Sequence, residues 1–162
     1  MREIETMNRV MMIINHPVFV INLNKIIMRE TDRKFCKHGY EHIYDVARIA
    51  YILNLENKAG LNKEVVYAAS LLHDIGRALD GNHAINSQLI ASEILESVDF
   101  SKDEKDEIIA AILDHRHENN EFDSKLGEIL YSADKLSRRC FECEAYNECY
   151  WDEDMKNNKL IY

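Results

Sequence analysis

The stretch "SLLHDIGRAL", Ser70 to Leu79, sets His73 and Asp74 side by side in an otherwise apolar run. A buried polar group without a partner costs about 1–3 kcal/mol, and an ionised carboxylate costs more. The pair therefore needs a counterpart. Outward from it the pattern is helical: glycine and proline are scarce, at five and one, and no run of alternating β-branched residues outvotes the 3.6-residue period. The chain reads as all-α. The spacing predicts a first helix over Glu3 to Asn15 and a second from Pro17 toward Glu30, with Val18, Ile21, Ile26 and Ile27 along it. A third runs from Tyr40 to Leu55, and Asn62 caps a fourth over Lys63 to Ile75 that meets Gly76. Gly81 and Asn82 precede a helix from His83 to Ser97. "SKDE" at Ser101 to Glu104 reads as a capping box for a helix ending near Arg116, and a last long helix begins near Lys125.

The 162 residues, 46% of them hydrophobic, suffice for one core, and no repeat or linker divides them, so residues 1–162 read as a single domain. A formal charge of −9 repels the phosphates of a long nucleic acid, which leaves small molecules as the expected partners. The run "VMMIINHPVFVINLNKIIM" is broken by Asn15, His16, Pro17, Asn22, Asn24 and Lys25 and is followed by no small-residue cleavage pattern. The expectation is no membrane segment and a cytoplasmic location. The same apolar N-terminal helices would suit a homodimer face.

The apolar stripes of the predicted helices carry more inward polar groups. His42 is in phase with Val46, Ile49, Ala50 and Leu53; His83 leads Ser87, Ile90, Ala91 and Ile94; His115 ends Ile108, Ala111 and Ile112; Asp134 follows Leu126, Leu130 and Ala133. A lone histidine on such a face is most often a hydrogen-bonded core residue. With His73 and Asp74, however, six imidazoles or carboxylates point inward from five helices. One or two divalent cations would satisfy all of them at once. Adjacent helical residues diverge by about 100°, so His73 and Asp74 reach one centre only beyond the helix end or around two ions that Asp74 bridges.

These segments resemble the HD superfamily of metal-dependent phosphohydrolases, an α-helical fold. "HIYDVARIA", "AASLLHDIGR" and "LYSADKLSR" match its characteristic segments, with His42, His73, Asp74 and Asp134 at the pattern's positions. The resemblance covers residues 37–139, with N-terminal helices over 1–36 and a Cys-rich tail over 140–162. "HAINSQLIASEIL" and "IIAAILDHR" are similar to the segments that carry extra ligands in binuclear members, including bacterial HD-type diadenosine tetraphosphate hydrolases. That similarity implies His83 and His115 as ligands of a second ion, with Asp74 as the catalytic bridge. Iron or manganese suits the set best, and zinc, nickel, cobalt or magnesium is also accepted. The implied reaction is attack by metal-activated water on a small phosphorylated metabolite, a nucleotide or dinucleoside polyphosphate. Arg77, Lys135 and Arg138 are candidate phosphate contacts, as is Arg116. Two other readings stay open: a diiron oxygenase with the same ligands, and a non-catalytic nucleotide sensor. Asp114 either orients an imidazole or is an ordinary exposed aspartate. His16 lies in a turn before Pro17, His117 points about 200° away from His115, and His38 joins either the metal site or the cysteines, or neither.

The four cysteines form their own pattern, Cys140-x2-Cys143-x5-Cys149 and the distant Cys36. Cys36 lies six residues before His42 and Cys140 six after Asp134, so two ligands of one centre would draw all four thiols together. Such a set suits a structural tetrahedral zinc, with free or disulfide-linked thiols and an iron–sulfur cluster as alternatives.

Overall fold

The structure is a computed structural model, and it describes residues 6–115 and 121–162. Among these the chain forms seven α-helices and no strand: α1 Asn8–Ile14, α2 Pro17–Arg29, α3 Tyr40–Glu56, α4 Lys63–Leu72, α5 His83–Glu96, α6 Lys102–Asp114 and α7 Lys125–Leu136. Short 3-10 turns follow α4 and make up the tail. The predicted start at Glu3 and the positions of Arg116 and His117 lie outside the described residues.

The helix starts follow from local chemistry. His16 Nδ1 accepts from the Val18 amide before Pro17 at the first helical position of α2. Asn62 caps α4 and Asn82 caps α5 through their side-chain oxygens. Ser101 and Glu104 close both halves of a capping box on α6. Two boundaries depart from the periodicity: α1 begins only at Asn8, with Thr6 and Met7 outside it, and the end of α4 matters most. The fourth helix stops at Leu72 rather than Ile75, because the Asp74 backbone (φ −109°, ψ 5°) leaves the helical region and a 3-10 turn, Ile75–Ala78, follows.

That break is built around Gly76. A Cβ there would overlap the His83 carbonyl and the Ser87 amide, and the Gly76 amide donates to Ser87 Oγ at 2.8 Å. Only a glycine lets the turn press onto the first turn of α5. The result is that Asp74 and His83 face each other.

One core runs through the helices, from Val10, Ile13, Phe19 and Leu23 to Leu71, Ile112 and Leu130, all buried. Arg9 ties α1 to the bundle: its guanidinium reaches Glu64 at 2.6 Å and Glu104 at 2.9 Å and lies over the Phe100 ring. Among the described residues no single helix is long and apolar enough to cross a membrane. The pair α1 and α2, bent by 56°, passes only when joined, and its apolar residues Ile13, Phe19 and Ile26 are buried in the core.

Candidate metal centre

Helix ends converge on one point. His42 sits in the first turn of α3, His73 caps the C-terminus of α4, His83 opens α5, His115 caps the C-terminus of α6, and Asp134 lies in the last turn of α7. Asp74 occupies the middle, 2% exposed. Its Oδ2 lies 3.4 Å from His73 Nε2 and 3.7 Å from His42 Nε2. Its Oδ1 lies 3.3 Å from His83 Nε2 and 3.8 Å from His115 Nε2. Asp134 Oδ1 completes the first set, 3.5 Å from His42 and 3.8 Å from His73. The donors therefore form two groups, His42–His73–Asp74–Asp134 and Asp74–His83–His115, each with all atoms within 4.8 Å. The two carboxylate oxygens of Asp74 face one group each.

These donor sets fit divalent cations. Contacts of 3.3–3.8 Å are too long for good hydrogen bonds. Nε2 of His42, His73 and His115 are buried with no hydrogen-bond partner among the described residues, and Asp74 Oδ1, equally buried, has an ion pair with Arg77 Nε at 2.8 Å that lacks hydrogen-bond geometry. The spacing matches donors bonded at about 2.0–2.2 Å to a shared ion. The far ring nitrogens are engaged: Nδ1 of His73 donates to the Ser70 carbonyl at 2.7 Å, and Nδ1 of His115 contacts the Ile112 carbonyl. Nδ1 of His42 lies 3.4 Å from Ser137 Oγ. Those contacts fix each ring with Nε2 turned to the centre, as outer partners of metal-bound histidines do.

The electrostatics carry the same message. Burial alone would strip the proton from His73, but Asp74 and Asp134 outweigh it and push its pKa up to about 10. Burial would likewise raise both carboxyls, yet the imidazoles hold Asp74 and Asp134 well below the usual carboxylate range. The centre is a concentrated negative site that binds a proton where no cation neutralises it.

His38, which the sequence assigns to no site, lies here as well. It is buried, its Nε2 is 3.7 Å from Asp74 Oδ2, and its ring stands 5.2 Å from that of His42. Glu30 at the end of α2 grips it twice: Oε2 accepts from the His38 amide and Oε1 pairs with Nδ1, both at 2.7 Å. Burial keeps His38 below its ordinary pKa, against the pull of Glu30 and Asp74. The i, i+4 spacing from His38 to His42 was a usable signal, hidden because Gly39 separates His38 from the helix.

The cationic candidates are placed unevenly. Arg77 Nε is 2.8 Å from Asp74 Oδ1. Lys135 Nζ is 3.0 Å from Asp134 Oδ2 and lies over the Tyr131 ring, and the Arg138 guanidinium stacks over Trp151 at 4.5 Å. All three line a cavity of about 1310 Å³ that opens onto Asp74, His42 and His38. Asp114 is not an exposed aspartate. It is 3% exposed, its Oδ2 accepts from the amides of Asp123 and Ser124 and the Ser124 hydroxyl, and it packs against Gly127. It thereby anchors the start of α7, which carries Asp134.

Comparison with known proteins places this geometry in a family. The model of the HD domain matches residues 39–139. An uncharacterized protein of Clostridium beijerinckii is 40% identical over 160 residues, covering 96% of this chain and all of its own length. Ribonuclease Y of Pelobacter propionicus is 30% identical over 126 residues, 75% of this chain but 22% of that protein. Ribonuclease Y of onion yellows phytoplasma is 32% identical over 126 residues and is matched over 21% of its length. The chain thus spans about a fifth of these ribonucleases. No solved structure matches.

Proposed function

The chain belongs to the HD-domain family, whose members are typically metal-dependent hydrolases, and we propose that it hydrolyses a phosphate ester or anhydride of a small nucleotide. The observation that carries this reading is the bridging position of Asp74, with one oxygen toward each donor group. Bound between these groups, two divalent cations, iron or manganese by the mixed nitrogen and oxygen donors, would acidify a water and draw charge off phosphoryl oxygens.

The protein's own residues supply the rest. His42, His73 and Asp134 would hold one cation and His83 and His115 the other, with one oxygen of Asp74 turned to each group. His38, oriented by Glu30, presents Nε2 to the cavity side of Asp74, where it takes the proton of the attacking water and returns it to the leaving oxygen. Arg77, Lys135 and Arg138 along the cavity wall bind the phosphates and orient the scissile bond. The cavity of about 1310 Å³ has room for a dinucleoside polyphosphate as well as a mononucleotide. The ribonuclease Y relatives favour a phosphodiester of short RNA as the second reading.

The test is anaerobic incubation of the manganese-loaded protein with dinucleoside polyphosphates, mononucleotides and short RNA, reading the products by chromatography. The expected outcome is cleavage of a nucleotide substrate without oxygen, lost in Asp74→Ala. Turnover that requires and consumes oxygen would replace the reading with an oxygenase.

A further inference from the structure

The tail after α7 has no core of its own. Residues 140–162 form three single-turn 3-10 segments, Cys140–Glu142, Tyr146–Glu148 and Glu153–Met155, none with a buried residue. Ala145 is the one buried hydrophobic residue of this stretch. A segment with so little apolar burial does not hold a fixed path unless it is cross-linked. Two hydrogen bonds from Asn157 to the carbonyls of Leu136 and Arg138 return it to α7, and the first half is held to the segment before α3 by surface contacts, the exposed ion pair of Lys34 with Glu148 at 2.7 Å and the edge contact of Phe35 with Tyr150.

What the first half does have is cysteines. Each 3-10 turn repeats every three residues, which sets Cys140 and Cys143 on one side, and the turn Tyr146–Glu148 delivers Cys149 to the same place. Together with Cys36 from the segment before α3, they line one cavity of about 20 Å³. All four are free thiols.

The size of that space discriminates between ligands. A tetrahedral zinc with Zn–S bonds of about 2.3 Å draws its sulfurs to about 3.8 Å from one another and leaves no interior volume. Here the described donor groups that close to within 4.8 Å are the two His/Asp sets, and the cysteine sulfurs form no such group. The space between them already exceeds the ~10–15 Å³ that one water needs. Four thiols held apart around a cavity suit a polynuclear centre, whose own metal and sulfide atoms fill the middle. The surroundings fit that charge and polarity. Phe35, Tyr146 and Trp151 form an apolar wall. A cubane with four thiolates carries a net negative charge. The Arg138 guanidinium acts on the Cys36 thiol and the Lys156 ammonium on Cys149, and these cations offset it.

We propose that Cys36, Cys140, Cys143 and Cys149 ligate a four-iron, four-sulfide cluster that fastens the tail to the segment before α3. This cluster is structural and separate from the His/Asp centre. It replaces the zinc that the spacing of the cysteines suggests. Cys36, Cys140 and Cys143 also line the large cavity above Asp74, so the cluster fixes one wall of the substrate pocket.

The test is expression and purification of the full chain without oxygen, followed by iron and acid-labile sulfide analysis and visible spectroscopy. The expected result is about four sulfides per chain and a broad sulfide-to-iron absorption, kept in Asp74→Ala, which empties the other centre, and lost in Cys143→Ser. The wild-type sulfide content decides the matter even if the cysteine variant fails to fold. About one zinc per chain that disappears in Cys143→Ser, with no sulfide, would overturn the proposal in favour of a mononuclear site. Disulfides found by mass spectrometry, or four thiols titrating freely in metal-free folded protein, would overturn it in favour of no metal.

Discussion

The His/Asp centre and the cysteine cavity share a wall, yet they are assembled in opposite ways. At the first, side chains from five helix ends close around Asp74 with donors 3.3–3.8 Å apart, held from behind by carbonyls and Glu30. At the second, four thiols ring an open space on a stretch with scarcely any core. The helical core positions the first centre. The cluster proposed for the second would supply the order that its segment lacks. Such a chain would carry one metal site as a product of its fold and another as a cause of it.

The sharpest way to break this contrast is Asp74→Ala. Loss of the bridging carboxylate should cost about 10³-fold or more in turnover while far-ultraviolet circular dichroism stays helical and the cysteine region keeps its absorption. Unchanged turnover would place the chemistry elsewhere. Next comes His38→Ala, expected to lower kcat by about 10- to 100-fold with the metal content unchanged, which separates proton handling from metal binding. Equal loss of metal would make His38 a ligand instead.

Disturbing the cysteine region should act mainly on binding. Cys143→Ser is expected to raise KM by about 10-fold or less, with kcat nearly kept, because it loosens a wall and spares the donors. Steady-state kinetics with whichever nucleotide the protein cleaves decides this. Gly76→Ala is the complementary change. It leaves every donor in place but forces the turn off α5, and it should destabilise the fold by about 1–3 kcal/mol in chemical denaturation and weaken the His83 side of the centre first.

The smallest effect is a pH dependence of the metal-free protein. His73 is raised from an ordinary 6.5 to about 10, so its contribution to stability is complete below about 6.5 and disappears as the pH climbs toward 10. Asp74 and Asp134, held below the ordinary 3.8, contribute fully above that value and lose their contribution in acid. Melting in chelator should therefore show a plateau between these limits and a decline on the alkaline side. Manganese should abolish the decline, since the cation replaces the proton. A flat alkaline profile without metal would show that the three groups are not coupled.

Much of this was legible in the residues. The helices announced themselves through Asn62, Asn82, the Ser101 capping box and the apolar stripes, and in-phase polar residues pointed to His42, His83, His115 and Asp134. Periodicity failed where structure departs from it. It ran α4 through His73 and Asp74 to Ile75, whereas the 3-10 turn that Gly76 permits is what aims Asp74 between the two donor groups. It assigned His38 to no site, because His38 is bound by Glu30 at the end of α2, eight residues earlier and off any helical period. The role of Asp114 stayed open for the same reason, since its partners Asp123 and Ser124 lie nine and ten residues further along the chain. The cysteine spacing indicated a cluster but not its size, because the distance between sulfurs is set by how two separate segments dock.

Anomalous diffraction from crystals grown with manganese tests the central claim most directly. Two peaks should flank the Asp74 carboxylate, one among His42, His73 and Asp134 and the other beside His83 and His115. A single peak bound by one side, or peaks remote from Asp74, would contradict it.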